Sequence, residues 1–296
     1  MLFSEILQYL LTGLTVGCVY ALVALGFTII YNATGIINFA QGEFVMLGGL
    51  LFYTFFVVAH LPLVLALLIA VLIVAAIGLL MERLTIRPLR NAPLVTLVIV
   101  TVGVSVILRG VAKLIWGADA FSVPAFSGES SLFIAGAAVQ MQYLWVVGLA
   151  ALVVVSVRLF FDRTLIGKAM QAGAINPEAA RLAGISVERM VQLSFALSAG
   201  LSALAGAVIS PLTFAAYDSG TILGLKGFSG AIIGGLGNGL GAIFGGILVG
   251  LLENVGVGLA PQGAAGYQDA FAFVILLLVL FLRPSGLLGK RTTEGV

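Results

Sequence analysis

Long apolar stretches alternate with short polar segments along the whole of this 296-residue chain. A helix needs about 20 predominantly apolar residues to cross ~30 Å of hydrocarbon, and runs of that length recur. Eight windows are clear: about 6–30, 36–58, 62–81, 93–116, 141–161, 190–212, 240–259 and 268–282. A ninth, about 222–237, is shorter and rich in glycine. The pattern predicts an all-α, polytopic membrane bundle with eight to nine crossings.

Composition supports a membrane protein. The chain is 61% hydrophobic and 9% charged, whereas a soluble domain carries about 25% charged residues. The first window follows Glu5 and no early Lys or Arg, so we expect a permanent span rather than a cleaved signal peptide. Cys18 and His60 are the single cysteine and histidine, which leaves no disulfide framework or metal cluster. We therefore expect no cofactor and no metal.

The basic residues are concentrated in three segments. Eleven of the 14 lie in or beside 82–91, 158–189 and the tail from 283: Arg83, Arg87, Arg90, Arg158, Arg163, Lys168, Arg181, Arg189, Arg283, Lys290 and Arg291. The linkers 59–62, 117–140, 213–221 and 260–268 carry none. Because cytoplasmic loops are enriched in Lys and Arg, the three segments are predicted to be cytoplasmic. That requires nine passes, with the N-terminus outside and the C-terminus inside.

The order of spans indicates an internal repeat within a single transmembrane domain, 1–296. A first block, about 6–116, begins outside, and a second block, about 190–282, begins inside. A linker span at 141–161 and a cytoplasmic loop at 162–189 separate them. Blocks of opposite orientation are typical of inverted-topology repeats. In both, the second segment starts with a polar or glycine-rich interruption, NATGIINFAQGEF and GLKGFSGAIIGGLG.

Polar residues open the second window. Glu43 follows Asn38, Gln41 and Gly42, and a carboxylate near the bilayer centre costs roughly 2.5–3.5 kcal/mol on insertion scales. Glu43 is therefore not expected to face lipid. These residues either line a translocation path or form a hydrogen-bonded packing cluster near the cytoplasmic end.

Further polar groups interrupt later windows. Glu253 and Asn254 lie within 240–259, where they either line a cavity or bond another helix. Arg109 and Lys113 lie four residues apart near the outer end of the fourth window. Either they extend to the interface, or they meet an acidic extracytoplasmic partner.

Glycine dominates the run from Gly227 to Gly250, where GxxxG spacings recur around Ser229. Small residues at this spacing let membrane helices approach closely. The run predicts tight packing between helices. A second interpretation adds that these smooth helices slide or rock against one another during transport. We include Ser229 among the candidate path residues.

The polar loop contains a short capped helix. Asn176, Pro177 and Glu178 form a helix start, and Gly184 suits the position after the helix end. The predicted helix, Pro177 to Ala183, is too short to be stable alone in water. It therefore needs a surface to pack against, either its own membrane domain or a cytoplasmic partner.

This loop resembles the EAA-x-x-x-G element of ABC importer permeases, through Glu178-Ala179-Ala180 and Gly184. Three further stretches are similar to branched-chain amino acid permeases of the LivH type. They are Gly13 to Gly49, the stretch IIGGLGNGLGAIFGGILVGLLE and the ending RPSGLLG. The matches occur in order and at the right spacing.

The resemblance implies the fold of type II ABC importers, whose larger members have ten spans in two inverted repeats. It also implies partners: a second, homologous permease subunit, two ATP-binding subunits and a periplasmic substrate-binding protein. No nucleic acid is expected, and the location would be the bacterial cytoplasmic (inner) membrane. The ATPase-coupling residues would be Asn176, Pro177, Glu178, Ala179, Ala180, Arg181 and Gly184. The path residues would be Asn38, Gln41, Gly42, Glu43, Ser229, Glu253 and Asn254.

The sequence leaves alternatives open for both the substrate and the mechanism. Gln41 stands where the family frequently has His, and relatives carry branched-chain amino acids, amides, urea or aromatic acids. An ion-coupled carrier or channel would use Glu43 and Glu253, but it gives the 176–184 helix no purpose. A membrane enzyme lacks a catalytic cluster. Gly167-Lys168 is not a phosphate-binding loop, because Ala169 follows it.

Overall fold

A computed structural model describes residues 2–128, 130–259, 268–283 and 285–289, and the described part is a helical bundle. Its helices are α1 Leu2–Thr34, α2 Gln41–Tyr53, α3 Leu63–Met81, α4 Leu94–Trp116, α5 Met141–Arg163, α6 Leu165–Ile175, α7 Pro177–Leu182, α8 Val187–Thr213, α9 Ser219–Gly234, α10 Gly239–Leu259 and α11 Gln268–Leu282. π-Helical turns at Thr54–Val58 and Glu82–Ile86 extend α2 and α3, and a 3₁₀ turn follows at Arg87–Leu89.

Every apolar window of the sequence coincides with a helix, which confirms the predicted all-α polytopic bundle. Within the described residues, seven helices are long and apolar enough to cross a membrane. They are α1, α2 with its π-turn, α3 with the turns after it, α4, α5, α8 and α10. The remaining two windows correspond to α11, a shorter apolar helix, and to α9, which has 16 residues.

One element was not predicted. Strands β1 Ser131–Ile134 and β2 Ala137–Gln140 form an antiparallel hairpin in the linker before α5, with Ser131 opposite Gln140. Ala135 and Gly136 connect them, both at positive φ, as a two-residue hairpin turn requires. The strands are too short for their alternation to be recognised in the sequence.

Contacts between helices fix their relative directions. Gly13 packs on Gly250 and Gly17 on Ile247, so α1 and α10 are antiparallel. Similar contacts make α8 parallel to α2, α3 antiparallel to α8, and α9 antiparallel to α10. α9 therefore runs parallel to α1, and α3 runs antiparallel to both α2 and α8.

Two basic segments meet at one end of this bundle. Arg87 and Arg90, between α3 and α4, both contact Glu188 at the start of α8, with 2.5 Å between Arg87 Nη2 and the carboxylate. The turn between α9 and α10 contacts the end of α1 and the residues after α11, since Asn32 donates to Gly237 O and Asn238 donates to Leu288 O. Lys290 and Arg291 of the basic tail lie outside the described residues.

Glycines make the closest helix contacts. α10 packs on α9 through Gly230 and Gly245, and on α1 through Gly246. A Cβ on Gly246 would lie 2.4 Å from the backbone nitrogen of Ala21, closer than atoms can approach. The tight packing predicted for the glycine-rich run is therefore found in the structure, and these positions do not tolerate a side chain.

Gly246→Ala is expected to destabilise the purified chain by about 1–3 kcal/mol, because the added methyl must displace the backbone of α1. Gly148→Ala on α5 is the matched control, since no atom lies within 4 Å of its new Cβ. There we expect no loss of stability, because alanine favours the helix over glycine. Thermal unfolding in detergent measures both, and equal midpoints for the two variants would contradict the packing argument.

Candidate functional site

Two helices begin inside the bundle rather than at its ends. The chain leaves α1 at Thr34, runs without helical structure to residue 40 and then starts α2. Residues 214–218 make a similar break between α8 and α9. The two new helices meet at their first turns, where Gly42 lies against Gly220 and Gly224. Neither start has a side-chain cap, and the positive ends of both helix dipoles lie at this meeting point.

Glu43 lies at this meeting point and is 1% exposed. Its Oε1 accepts hydrogen bonds from Ser105 Oγ at 2.9 Å and from Thr221 Oγ1 at 3.3 Å. Arg109 Nη2 lies 3.3 Å from the same oxygen and forms an ion pair with it. Ser105 is midway along α4, so the carboxylate is far from either end of that helix. A buried carboxylate needs such a counter-charge, because an unpaired one is very costly in low dielectric.

Gln41 connects the start of α2 to α8. Its Nε2 donates to Ser202 Oγ at 2.7 Å, and its Oε1 lies 2.9 Å from Ser198 Oγ. Asn38 Oδ1 accepts from the backbone N–H of Ala40 and turns the chain into the helix. Thr101 Oγ1 on α4 accepts from the N–H of Phe39. Asn38, Gln41, Gly42 and Glu43, all predicted path residues, therefore lie together and contact α4, α8 and α9.

Glu253 belongs to a separate ionic cluster. Lys226 Nζ lies 2.8 Å from Glu253 Oε1 and 2.7 Å from Asp269 Oδ1, and it also lies over the ring of Tyr20. Gln268 Nε2 donates to the same Glu253 oxygen at 2.9 Å. This cluster joins α9, α10 and α11. Glu253 therefore has inter-helix partners, the second of the roles left open for it.

The other two candidate path residues bond within their own helices. Ser229 donates to Leu225 O, and Asn254 donates to Gly250 O. Both bonds are one helical turn long, so the structure does not bring these side chains to the start of α2. Ser229 is fully buried beside the glycine contacts of α9.

Several residues of the site were missed or given another role from sequence. Arg109 was expected to extend outward or to meet an extracytoplasmic acid, but it pairs with Glu43 inside the bundle. Ser105 and Thr221 carried no signal, because isolated hydroxyls are common in membrane helices. Lys226 was a usable signal, being a lone cation in an apolar glycine-rich segment. No group of three or more His, Cys, Asp or Glu side chains suited to a metal occurs in the described ranges.

The polar loop forms the short helix α7. Asn176 Oδ1 caps it by accepting from the N–H groups of Glu178 and Ala179 at 3.1 and 3.0 Å. Gly184 ends it at φ +82°, and the N–H of Ile185 bonds Ala180 O. The helix is one residue shorter than predicted, because Ala183 is its C-cap.

Apolar side chains project from this loop. Leu182 is 91% exposed and Ile175 is 85% exposed, whereas Ala180 is buried against the bundle. α7 therefore packs on the bundle by one face. Its other face exposes Leu182 at the end of the bundle where the basic segments meet.

Broken helices that meet inside a polytopic bundle define the class, a membrane transport protein. The family model for the branched-chain amino acid transport system, permease component, matches residues 9–280. The chain belongs to this family. It is 32% identical to the high-affinity branched-chain amino acid permease LivH of Salmonella typhimurium, over 99% of both chains.

Two further relatives show the range of the similarity. The high-affinity branched-chain amino acid permease BraD of Pseudomonas aeruginosa is 32% identical over 98% of both chains. The fructose import permease FruF of Bifidobacterium longum is 26% identical over 76% of this chain and 62% of its own.

Removing Arg109 alone should destabilise the chain more than removing both charges of its ion pair. Arg109→Gln leaves Glu43 buried without a counter-ion, and we expect a loss of about 2 kcal/mol, after allowance for the partial exposure of Arg109. Adding Glu43→Gln should recover most of it, since the uncompensated charge is gone. Thermal unfolding of the two variants tests this, and a double variant no more stable than the single one would contradict the ion pair.

Proposed function

We propose that this chain is the membrane-spanning subunit of an ATP-driven importer of branched-chain amino acids, or of a related small amino acid or amide. The observation that carries the proposal is the full-length similarity to LivH and BraD, 32% identity over nearly all of each chain. Similarity over the whole length extends to every helix of the bundle, so it does not depend on a shared motif alone.

In this proposal α7 is the contact with the ATP-binding subunit. Asn176 and Gly184 fix its two ends, and Leu182 presents a large apolar side chain to a cytoplasmic partner. Pro177, Glu178, Ala179 and Arg181 complete the exposed part of the helix, and Ala180 seats it on the bundle. A six-residue helix is marginal alone, so its ordered caps support a role as a preformed docking element.

The path is proposed to pass the start of α2. Asn38, Gln41, Gly42 and Glu43 form the polar centre of the bundle there, while Glu253, Ser229 and Asn254 would border it more remotely. The two inward-pointing helix starts support this placement, because such termini bind charged substrate groups in transporters. A homologous permease subunit, two ATP-binding subunits and a periplasmic binding protein would complete the assembly in the inner membrane.

An ion-coupled carrier acting alone is the competing function. The ion pairs of Glu43 with Arg109 and of Glu253 with Lys226 argue against it, since both carboxylates already have a positive partner. It also leaves the exposed face of α7 without a role. Uptake by the purified chain alone, driven by an ion gradient, would overturn the importer proposal.

Leu182→Asp should weaken binding of the ATP-binding subunit at least ~10-fold, since a charge replaces the apolar contact at the centre of a docking surface. Uptake by the reconstituted transporter should fall with it. Leu84→Asp, at an exposed leucine between α3 and α4 on the same end, is the matched control and should bind normally. Co-purification and uptake measure the effects, and equal losses in both variants would contradict a specific role for α7.

Orientation can be tested by cysteine labelling. We expect the basic end of the bundle in the cytoplasm and the N-terminus outside. In a Cys18→Ala background, Ser131→Cys in the β-hairpin should react with an impermeant thiol reagent added to intact cells. Arg163→Cys at the end of α5 should react only after the membrane is opened. Both positions are exposed, so a reversed pattern would contradict the orientation.

A further inference from the structure

Unpaired polar atoms collect at the start of α2. In the described part of the chain, five buried side-chain nitrogen or oxygen atoms have no hydrogen-bond partner. Three of them, Asn38 Nδ2, Glu43 Oε2 and Arg109 Nε, belong to this one site. Buried polar atoms are nearly always paired in folded proteins, so three together are unusual. Asn38 and Glu43 are each only 1% exposed, so bulk water does not pair them in this conformation.

The three atoms have complementary chemistry. The amide of Asn38 and the guanidinium of Arg109 are donors, and the second carboxylate oxygen of Glu43 is an acceptor. The site therefore offers a positively charged donor, a neutral donor and a negatively charged acceptor. The positive dipole ends of α2 and α9 also lie at this site and favour a negatively charged group there.

We propose that Asn38, Glu43 and Arg109 form a station that binds the charged ends of an α-amino acid on its way through the path. Glu43 Oε2 accepts from the substrate's ammonium group, and Arg109 and Asn38 donate to its carboxylate. This proposal rests on the proposed function and deepens it. It favours a zwitterionic amino acid over neutral amides or urea, which present no pair of opposite charges.

The station is closed in this conformation. Thr221 bonds Glu43, and Gly42 is in backbone contact with Gly220 and Gly224. A Cβ on Gly220 would lie 2.7 Å from Glu43 Oε2, so the start of α9 covers that oxygen directly. Arg109 is 34% exposed on its side chain and gives the site one open edge. The station therefore opens when the start of α9 separates from α2, along a contact made of glycine backbone.

The alternative is that the Glu43–Arg109 pair only clamps α2 to α4. Both roles predict that single substitutions are harmful, because each leaves an uncompensated charge. The double variant Glu43→Gln/Arg109→Gln separates them, since it removes both charges while keeping side chains of similar reach. If the pair is only a clamp, uptake continues with the two neutral side chains. If it binds the zwitterion, uptake is lost.

The test uses the complete transporter in proteoliposomes, with its ATP-binding subunits, second permease chain and binding protein. Leucine is the probe. We expect the double variant to assemble and to keep ATPase stimulation by the loaded binding protein. Its maximal leucine uptake rate should fall at least ~10-fold, which corresponds to one lost charge-assisted contact. The half-saturating concentration should stay unchanged, because the binding protein captures the substrate.

Two further variants complete the design. Arg109→Lys keeps the charge beside Glu43 but has no second nitrogen for the substrate, so uptake should fall several-fold in an assembled complex. Lys113→Gln removes a cation one turn further along α4, where Nζ lies 5.1 Å from the ring centre of Tyr217. Uptake there should stay within twofold of wild type.

The outcomes are distinct. Uptake by the double variant within twofold of wild type would leave a structural clamp and overturn the station. An equal loss in Lys113→Gln would also overturn it, since the effect would then not be specific to the cation beside Glu43. If the wild-type complex assembled and imported a neutral amide but no amino acid, the station would be wrong and the importer class would stand. Failure of the wild-type chain to assemble with ATP-binding subunits would overturn the proposed function itself.

Discussion

The site depends on one backbone contact, the approach of α2 and α9 through Gly42, Gly220 and Gly224. No side chain larger than hydrogen fits there, because a Cβ on Gly42 would lie 2.1 Å from Gly220 O. The contact brings Thr221 to Glu43, and Arg109 then supplies the charge that a buried carboxylate requires. Without this approach Glu43 would lose its bond from α9, and the two helix starts would no longer face the same point.

We infer that the bundle is built from two inverted repeats, α1–α4 and α8–α11. The contacts support this, since α1 packs on α10 as α8 packs on α3, and α2 packs on α8 as α9 packs on α1. The ion pairs follow the same rule with the charges exchanged. Glu43 on α2 pairs with Arg109 on α4, and Lys226 on α9 pairs with Asp269 on α11. The second helix of each block thus carries a buried charge that contacts an opposite charge on the fourth helix, and Lys226 has a second, buried partner in Glu253 on α10.

Local features of this chain could be predicted from its sequence, and long-range partners could not. The helices were found because crossing hydrocarbon demands long apolar runs. The ends of α7 were found because Asn176 and Gly184 cap a helix through their own backbone neighbours. The partner of Arg109 lies 66 residues away, on a helix whose rotation is set by packing. The apolar window around Glu43 identified it as a charged residue within a span, but the sequence contained no information on which residue would neutralise it.

α8 connects α7, the proposed docking helix, to the start of α2, where the proposed station lies. It begins five residues after Leu182, and midway along it Ser198 and Ser202 hold Gln41 at the start of α2. A second link runs from Glu188 through Arg87 and Arg90 to α4, but those side chains are 40–56% exposed. Exposed ion pairs contribute about 0–1 kcal/mol, whereas buried hydrogen bonds and backbone packing resist displacement more strongly. We infer that a movement of α7 reaches Gln41 mainly through the rigid body of α8, with α4 following through the weaker contact.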